Sequence, residues 1–100
     1  MTLEELLEPI GFKLIKHESL FKMKLFKKNS TFLSVYHNHK SLKMEYHVLE
    51  GEIEVYKTSK VRVNSLGLDA EVEKKCIKLF NYIASFYNQE LKKIPADFKL

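Results

Sequence analysis

From Phe12 to Val63, apolar and polar residues alternate with a period of two, the repeat of a strand with one buried side. Phe12 and Leu14 alternate with lysine, and Phe21, Met23 and Leu25 alternate with Lys22 and Lys24. The spacing continues through Leu33 and Val35, through Leu42, Met44, Tyr46 and Val48, and into Ile53 and Val55. Four turns connect these runs. A turn around His17-Glu18-Ser19-Leu20 would set Phe12 opposite Leu25 and Leu14 opposite Met23. One at Lys28-Asn29-Ser30 would pair Leu25 with Leu33 and Met23 with Val35. A turn near His39-Lys40 would pair Val35 with Met44 and Leu33 with Tyr46. Glu50-Gly51 would then pair Val48 with Ile53 and Tyr46 with Val55. This register predicts one antiparallel meander with every regular apolar position on a single face. A slip of one residue at any hairpin would turn a strand over. Lys60 to Val63 supplies a sixth strand, the weakest in pattern.

The period changes to that of a helix at both ends. Thr2 followed by Glu5 has the spacing of a capping box, and Leu3, Leu6 and Leu7 make one apolar side before Pro9 and Gly11 stop the helix. Asp69 is placed to cap a longer helix, with Glu71 and Glu73 in its first turns. At about 100° per residue, Val72, Cys76, Leu79, Phe80, Ile83, Ala84, Phe86, Tyr87 and Leu91 form one broad arc. Lys74, Lys78, Asn81, Ser85 and Lys92 lie opposite, and the helix is expected to run roughly 23 residues towards Pro95. The predicted fold is therefore α+β: a short N-terminal helix, a meander of five or six strands, and a long C-terminal helix packed on one sheet face. One domain spans residues 1–100, with 95–100 as a short C-terminal tail.

Composition narrows the functional classes. The chain is 45% hydrophobic with three glycines and two prolines, which suits a packed core. Its formal net charge is +4, yet Arg62 is the only arginine among 17 basic residues. Base-reading surfaces draw on arginine's planar fork, so the lysines read first as a solvated face. Abundant Lys, Phe, Tyr, Asn and Ile suit an AT-rich genome, such as that of a bacterium, phage or other mobile element. Cys76 is alone, the N-terminal MTLEELLEP is acidic rather than signal-like, and no apolar run reaches membrane-spanning length. A cytoplasmic protein without membrane contact is the expectation. No phosphate-cradling glycine loop, paired-cysteine motif or H-E-x-x-H helix is present, so no cofactor, metal or catalytic residue is assigned.

Three of the four histidines fall within residues 37–47. His39 sits in a turn while His47 lies down the returning strand, too far apart to share an ion whose donors stand about 2 Å away. Surface histidines are the reading adopted. His47 is expected opposite Glu54, with Glu45 on the same face, and His17 lies in the first turn. These two would carry a small histidine-dependent nuclease, the remotest functional reading.

Removing the core set leaves an outer face of Lys13, Ile15, Lys22, Lys24, Phe32, Ser34, Tyr36, Lys43, Glu45, His47, Glu54 and Tyr56. Lys22, Lys24, Phe32, Tyr36, Lys43, His47 and Tyr56 are the candidate binding residues. Half-exposed aromatics among charges suit a protein partner, and the primary expectation is a non-enzymatic binding module of the inhibitor, immunity or accessory type. Stacking aromatics between lysines make nucleic acid the alternative partner. The N-terminal helix offers a plainer account if it covers Ile15 and Phe32. On the long helix, Leu79, Tyr82 and Phe86 form a candidate stripe for a homodimer. Cys76 lies in the core-facing arc and is read as packing.

Overall fold

The computed structural model describes residues 1–39, 41–58, 60–90 and 92–100. Helix α1, Leu3–Leu7, begins where the Thr2 hydroxyl accepts the Glu5 N–H at 3.2 Å and donates to the Glu5 carboxylate at 3.3 Å. A 3-10 turn, Glu8–Ile10, follows and ends at Gly11, whose φ of +94° is open to glycine. Six strands then form one antiparallel sheet in sequential order: β1 Lys13–Glu18, β2 Met23–Lys28, β3 Thr31–His37, β4 Leu42–Val48, β5 Gly51–Lys57 and β6 Val61–Leu66. Helix α2, Ala70–Tyr87, closes the fold over β4 and β5. The α+β architecture with its two helices is thus the one the pattern predicts.

Hairpin registers differ from expectation in three of four cases. Between β3 and β4 the pairing is as read, with Val35 opposite Met44 and Leu33 opposite Tyr46. Between β4 and β5 the turn is Leu49-Glu50 rather than Glu50-Gly51, so Tyr46 faces Ile53 and Met44 faces Val55. That shift is of two positions and keeps the apolar face. Between β2 and β3 only Asn29 and Ser30 form the turn, with Asn29 at φ +54°, a conformation asparagine tolerates. The register moves by one, and β2 turns over: Phe26 faces Leu33 inside while Met23 and Leu25 go to the outer face. Between β1 and β2 the turn occupies residues 19–22 rather than 17–20, and an irregularity at Ile15 then takes the ladder back by one, so Leu14 faces Phe26 instead of Met23. Phe21 belongs to no strand; it stands in the β1–β2 turn, 67% exposed. The sixth strand is present but sits later than expected.

The core lies between the sheet's inner face and the two helices. Phe12, Phe26, Leu33, Met44 and Ile53 meet Leu3 and Leu7 of α1 and Cys76, Leu79, Phe80 and Ile83 of α2. Asp69 caps α2 by accepting the Val72 N–H at 2.9 Å. The helix is 18 residues long, shorter than expected, because Gln89 adopts φ +59° and ends it. There the Gln89 N–H bonds the Phe86 carbonyl and the Glu90 N–H bonds the Ser85 carbonyl, a Schellman closure without glycine. Ser85, expected on the polar side, is buried, and its hydroxyl donates to the Tyr82 carbonyl at 2.8 Å. Lys40 of the expected third turn and Leu91 of the expected helical arc lie outside the described residues. No helix among the described residues is long and apolar enough to cross a membrane.

Candidate functional site

Alpha helix α1 packs on β1 and α2, on the same side of the sheet as the core. It therefore leaves the outer face bare, and Ile15 is 51% exposed rather than covered. On that bare face, side chains directly opposite one another form three rows. Met23, Tyr36, Lys43, Tyr56 and Arg62 make the first. Leu25, Ser34, Glu45, Glu54 and Asn64 make the second, and Lys27, Phe32, His47, Glu52 and Leu66 the third. Opposed side chains on one face stand about 4.5–5.5 Å apart at Cβ and interact.

Charge on this face is partly neutralised in place. The Lys43 ammonium lies 4.4 Å from the Tyr36 ring centre and 2.9 Å from the Glu45 carboxylate. The Glu45 hydrogen bond raises the Lys43 pKa above its ordinary value, against the effect of partial burial. Lys27 stands 5.5 Å over the Phe32 ring. His47 lies between two carboxylates, with Nδ1 3.2 Å from Glu52 and Nε2 3.7 Å from Glu45. Its opposite residue is Glu52, not Glu54, as the shifted turn requires. Glu45 and Glu54 face each other directly, a like-charge contact that Lys43, bonded to Glu45 at 2.9 Å and within the field of Glu54, offsets in place.

Of the candidate binding residues, Phe32, Tyr36, Lys43, His47 and Tyr56 share this face. Lys24 does not: the reversal of β2 sends it to the inner side, where it meets Glu4 at 2.7 Å. Lys22 stands at the boundary in a left-handed conformation, φ +55°. Residues that the sequence reading placed elsewhere, Phe21, Met23 and Leu25, extend the outer apolar area. Phe21, Tyr36, Lys43, Glu54 and Tyr56 line a common concavity at its end. The Asn29-Ser30 pair, a two-residue loop, was the available signal for this arrangement.

Of the candidate dimer stripe, Leu79 packs inward while Tyr82 and Phe86 remain partly exposed. Leu79 is fully buried, Tyr82 meets Phe98 edge-on at 6.1 Å, and Phe86 meets Tyr87 at 5.0 Å. Phe98 and Leu100 of the C-terminal segment pack against the core. Cys76 is also enclosed, and burial pushes its thiol up to about 12, which keeps it protonated. The histidines separate: His37 points to the inner side against Tyr87, His47 belongs to the outer face, and His39 lies in the loop after β3. No group of three metal-ligating side chains occurs among the described residues. No protein-family model, curated protein or solved structure matches this chain.

Proposed function

We propose that the protein is a non-enzymatic binding module that captures a protein partner on the outer face of its sheet. The supporting observation is the outer-face set of exposed Phe21 and Phe32 with half-buried Met23, Leu25, Tyr36 and Tyr56 around the opposed Glu45–Glu54 pair. Aromatic groups on an open face are the usual anchors of a protein interface. The complementary partner surface presents aliphatic groups to these aromatics and an arginine or lysine to Glu54, which has no ion pair among the described residues while Glu45 is engaged by Lys43. Capture of this kind acts sterically, as an inhibitor, immunity or accessory protein would. A single buried cysteine suits a reducing, cytoplasmic setting.

Nucleic acid is the less supported occupant. Lys24 is turned away, Lys43 is engaged by Glu45, and Glu45, Glu52 and Glu54 would face phosphates. The test is capture from extract by wild type, Glu54→Lys, Tyr36→Ala and the helix-surface variant Lys78→Ala, each with and without nuclease. A nuclease-resistant protein retained by wild type and Lys78→Ala, but lost by Glu54→Lys and Tyr36→Ala, supports the reading. Nuclease-sensitive capture moves the lysine–tyrosine alternative ahead, and capture indifferent to Glu54 and Tyr36 removes the outer face from consideration.

A further inference from the structure

The reversal of β2 has a second result, on the opposite side of the sheet. It brings Lys24 to the inner face, beside two histidines from neighbouring strands, with Lys22 at the boundary between the two faces. His17 of β1 is directly opposite Lys24, and the His37 N–H donates to the Lys22 carbonyl at 3.0 Å. Helix α2 supplies the facing wall, where the Tyr87 ring lies flat on the His37 imidazole at 3.7 Å and 12°. These five side chains, with Phe86 and the residues leading into α1, line a cleft of about 380 Å³. That is within the range of roughly 300–1,000 Å³ typical of small-molecule sites.

We propose that this cleft binds a small phosphate-bearing molecule, with Lys22, Lys24 and His17 directed at the phosphoryl oxygens and the His37–Tyr87 stack as its wall. The donor set favours a phosphoryl group over a carboxylate. Three independent donors converge from β1, β2 and the turn between them, matching a tetrahedral anion with three free oxygens better than a planar one with two. One acid enters the cluster, Glu4, and it occupies Lys24 at 2.7 Å. An ammonium has three donors, so Lys24 keeps capacity for a ligand. Lys22 has no ion pair among the described residues. Glu18, the acid nearest in β1, faces the other way and bridges Lys16 at 2.9 Å.

Two further features fit a ligand site. Lys22 closes the β1–β2 turn at φ +55°, donating its N–H to the Ser19 carbonyl at 3.3 Å, and this sets its side chain at the rim of the cleft. The Tyr87 phenol, protonated at neutral pH as tyrosines ordinarily are, adds a hydroxyl to the residues that line the cleft. The cleft lies on the inner side of the sheet, so its occupancy does not depend on the outer-face reading.

The experiment is a backbone-amide NMR titration with inorganic phosphate and, separately, with adenosine monophosphate, at constant ionic strength. The expected result is saturable shifts centred on His17, Lys22, Lys24 and His37 with at least one of the two probes. Saturation by adenosine monophosphate alone would identify a phosphate ester rather than the free anion. Lys22→Gly suits the left-handed backbone and should keep the fold while weakening binding about tenfold, the effect of losing one charge-assisted hydrogen bond. Lys27→Ala, on the outer face, should bind as wild type. Shifts spread without saturation over the outer lysines, or equal affinity in Lys22→Gly, would overturn the proposal.

Discussion

Phe26 stands directly opposite Leu33 across β2 and β3, and neither side chain reaches solvent. This pair decides the orientation of β2. A ring in the core excludes Leu25 from it, and Lys24 must then share the inner side. Phe26→Ala should therefore cost about 3–5 kcal/mol, while Leu25→Ala, half-buried on the outer face, should cost well under half of that. Urea unfolding of the two variants checks the order. Equal losses would mean that β2 is not turned as described.

The Lys24–Glu4 pair ties α1 to the reversed strand across 2.7 Å. Burial alone would raise the Glu4 carboxyl, but the Lys24 hydrogen bond and charge hold it below its ordinary value. A carboxylate with a depressed folded pKa adds stability above its unfolded pKa of about 4.5 and loses it as pH falls through the folded value. A double-mutant cycle of Glu4→Gln and Lys24→Met at pH 7 should give a coupling on the order of 1 kcal/mol. The coupling should vanish on acidification to pH 2.

How much of this was legible from the chain depends on the hairpin. At β3–β4 the apolar spacing and the turn agree, and the register follows from alternation alone. At β2–β3 they conflict: Met23 and Leu25 alternate convincingly with lysines, but Phe26 breaks the alternation and Asn29-Ser30 favours a two-residue loop. The larger ring and the shorter loop prevail, and the acid that makes an inward Lys24 tolerable comes from a different element. Tertiary pairing of that kind leaves no periodic trace. The outer aromatics Phe32, Tyr36 and Tyr56 were readable because β3–β5 keep their parity. The end of α2 was not readable, since a glutamine rather than a glycine takes the left-handed closing position.

His37 gives the stability a pH dependence of its own. Burial against Tyr87 lowers its pKa from the ordinary 6.5, so the unfolded chain takes up the proton first. Stability should then fall as pH drops from 7 through 6.5 and stop falling below the folded pKa. His37→Phe keeps a ring for the stack and removes the proton. Thermal unfolding between pH 7 and pH 5 should show a smaller decline for this variant than for wild type.

Gly51 is hemmed in at the start of β5. A Cβ there would come within 2.5 Å of the Leu66 carbonyl oxygen and 2.7 Å of the Gly67 carbonyl carbon. Gly67 itself has φ +77° and passes against the Glu50 carbonyl. Gly51→Ala must push the end of β6 away from the β4–β5 turn, at a cost of about 1–3 kcal/mol. Denaturant unfolding measures the loss, and amide exchange should be fastest near Leu66.

The central claim is that the outer face of the sheet holds a protein. Site-specific photocrosslinking in cells tests it most directly, with benzoyl-phenylalanine at position 56 of the outer face and at position 78 of the α2 surface. The account predicts a discrete protein adduct from position 56 that Glu54→Lys abolishes, and none from position 78. Adducts from position 78 alone, or nucleic acid as the only species crosslinked at position 56, would contradict it.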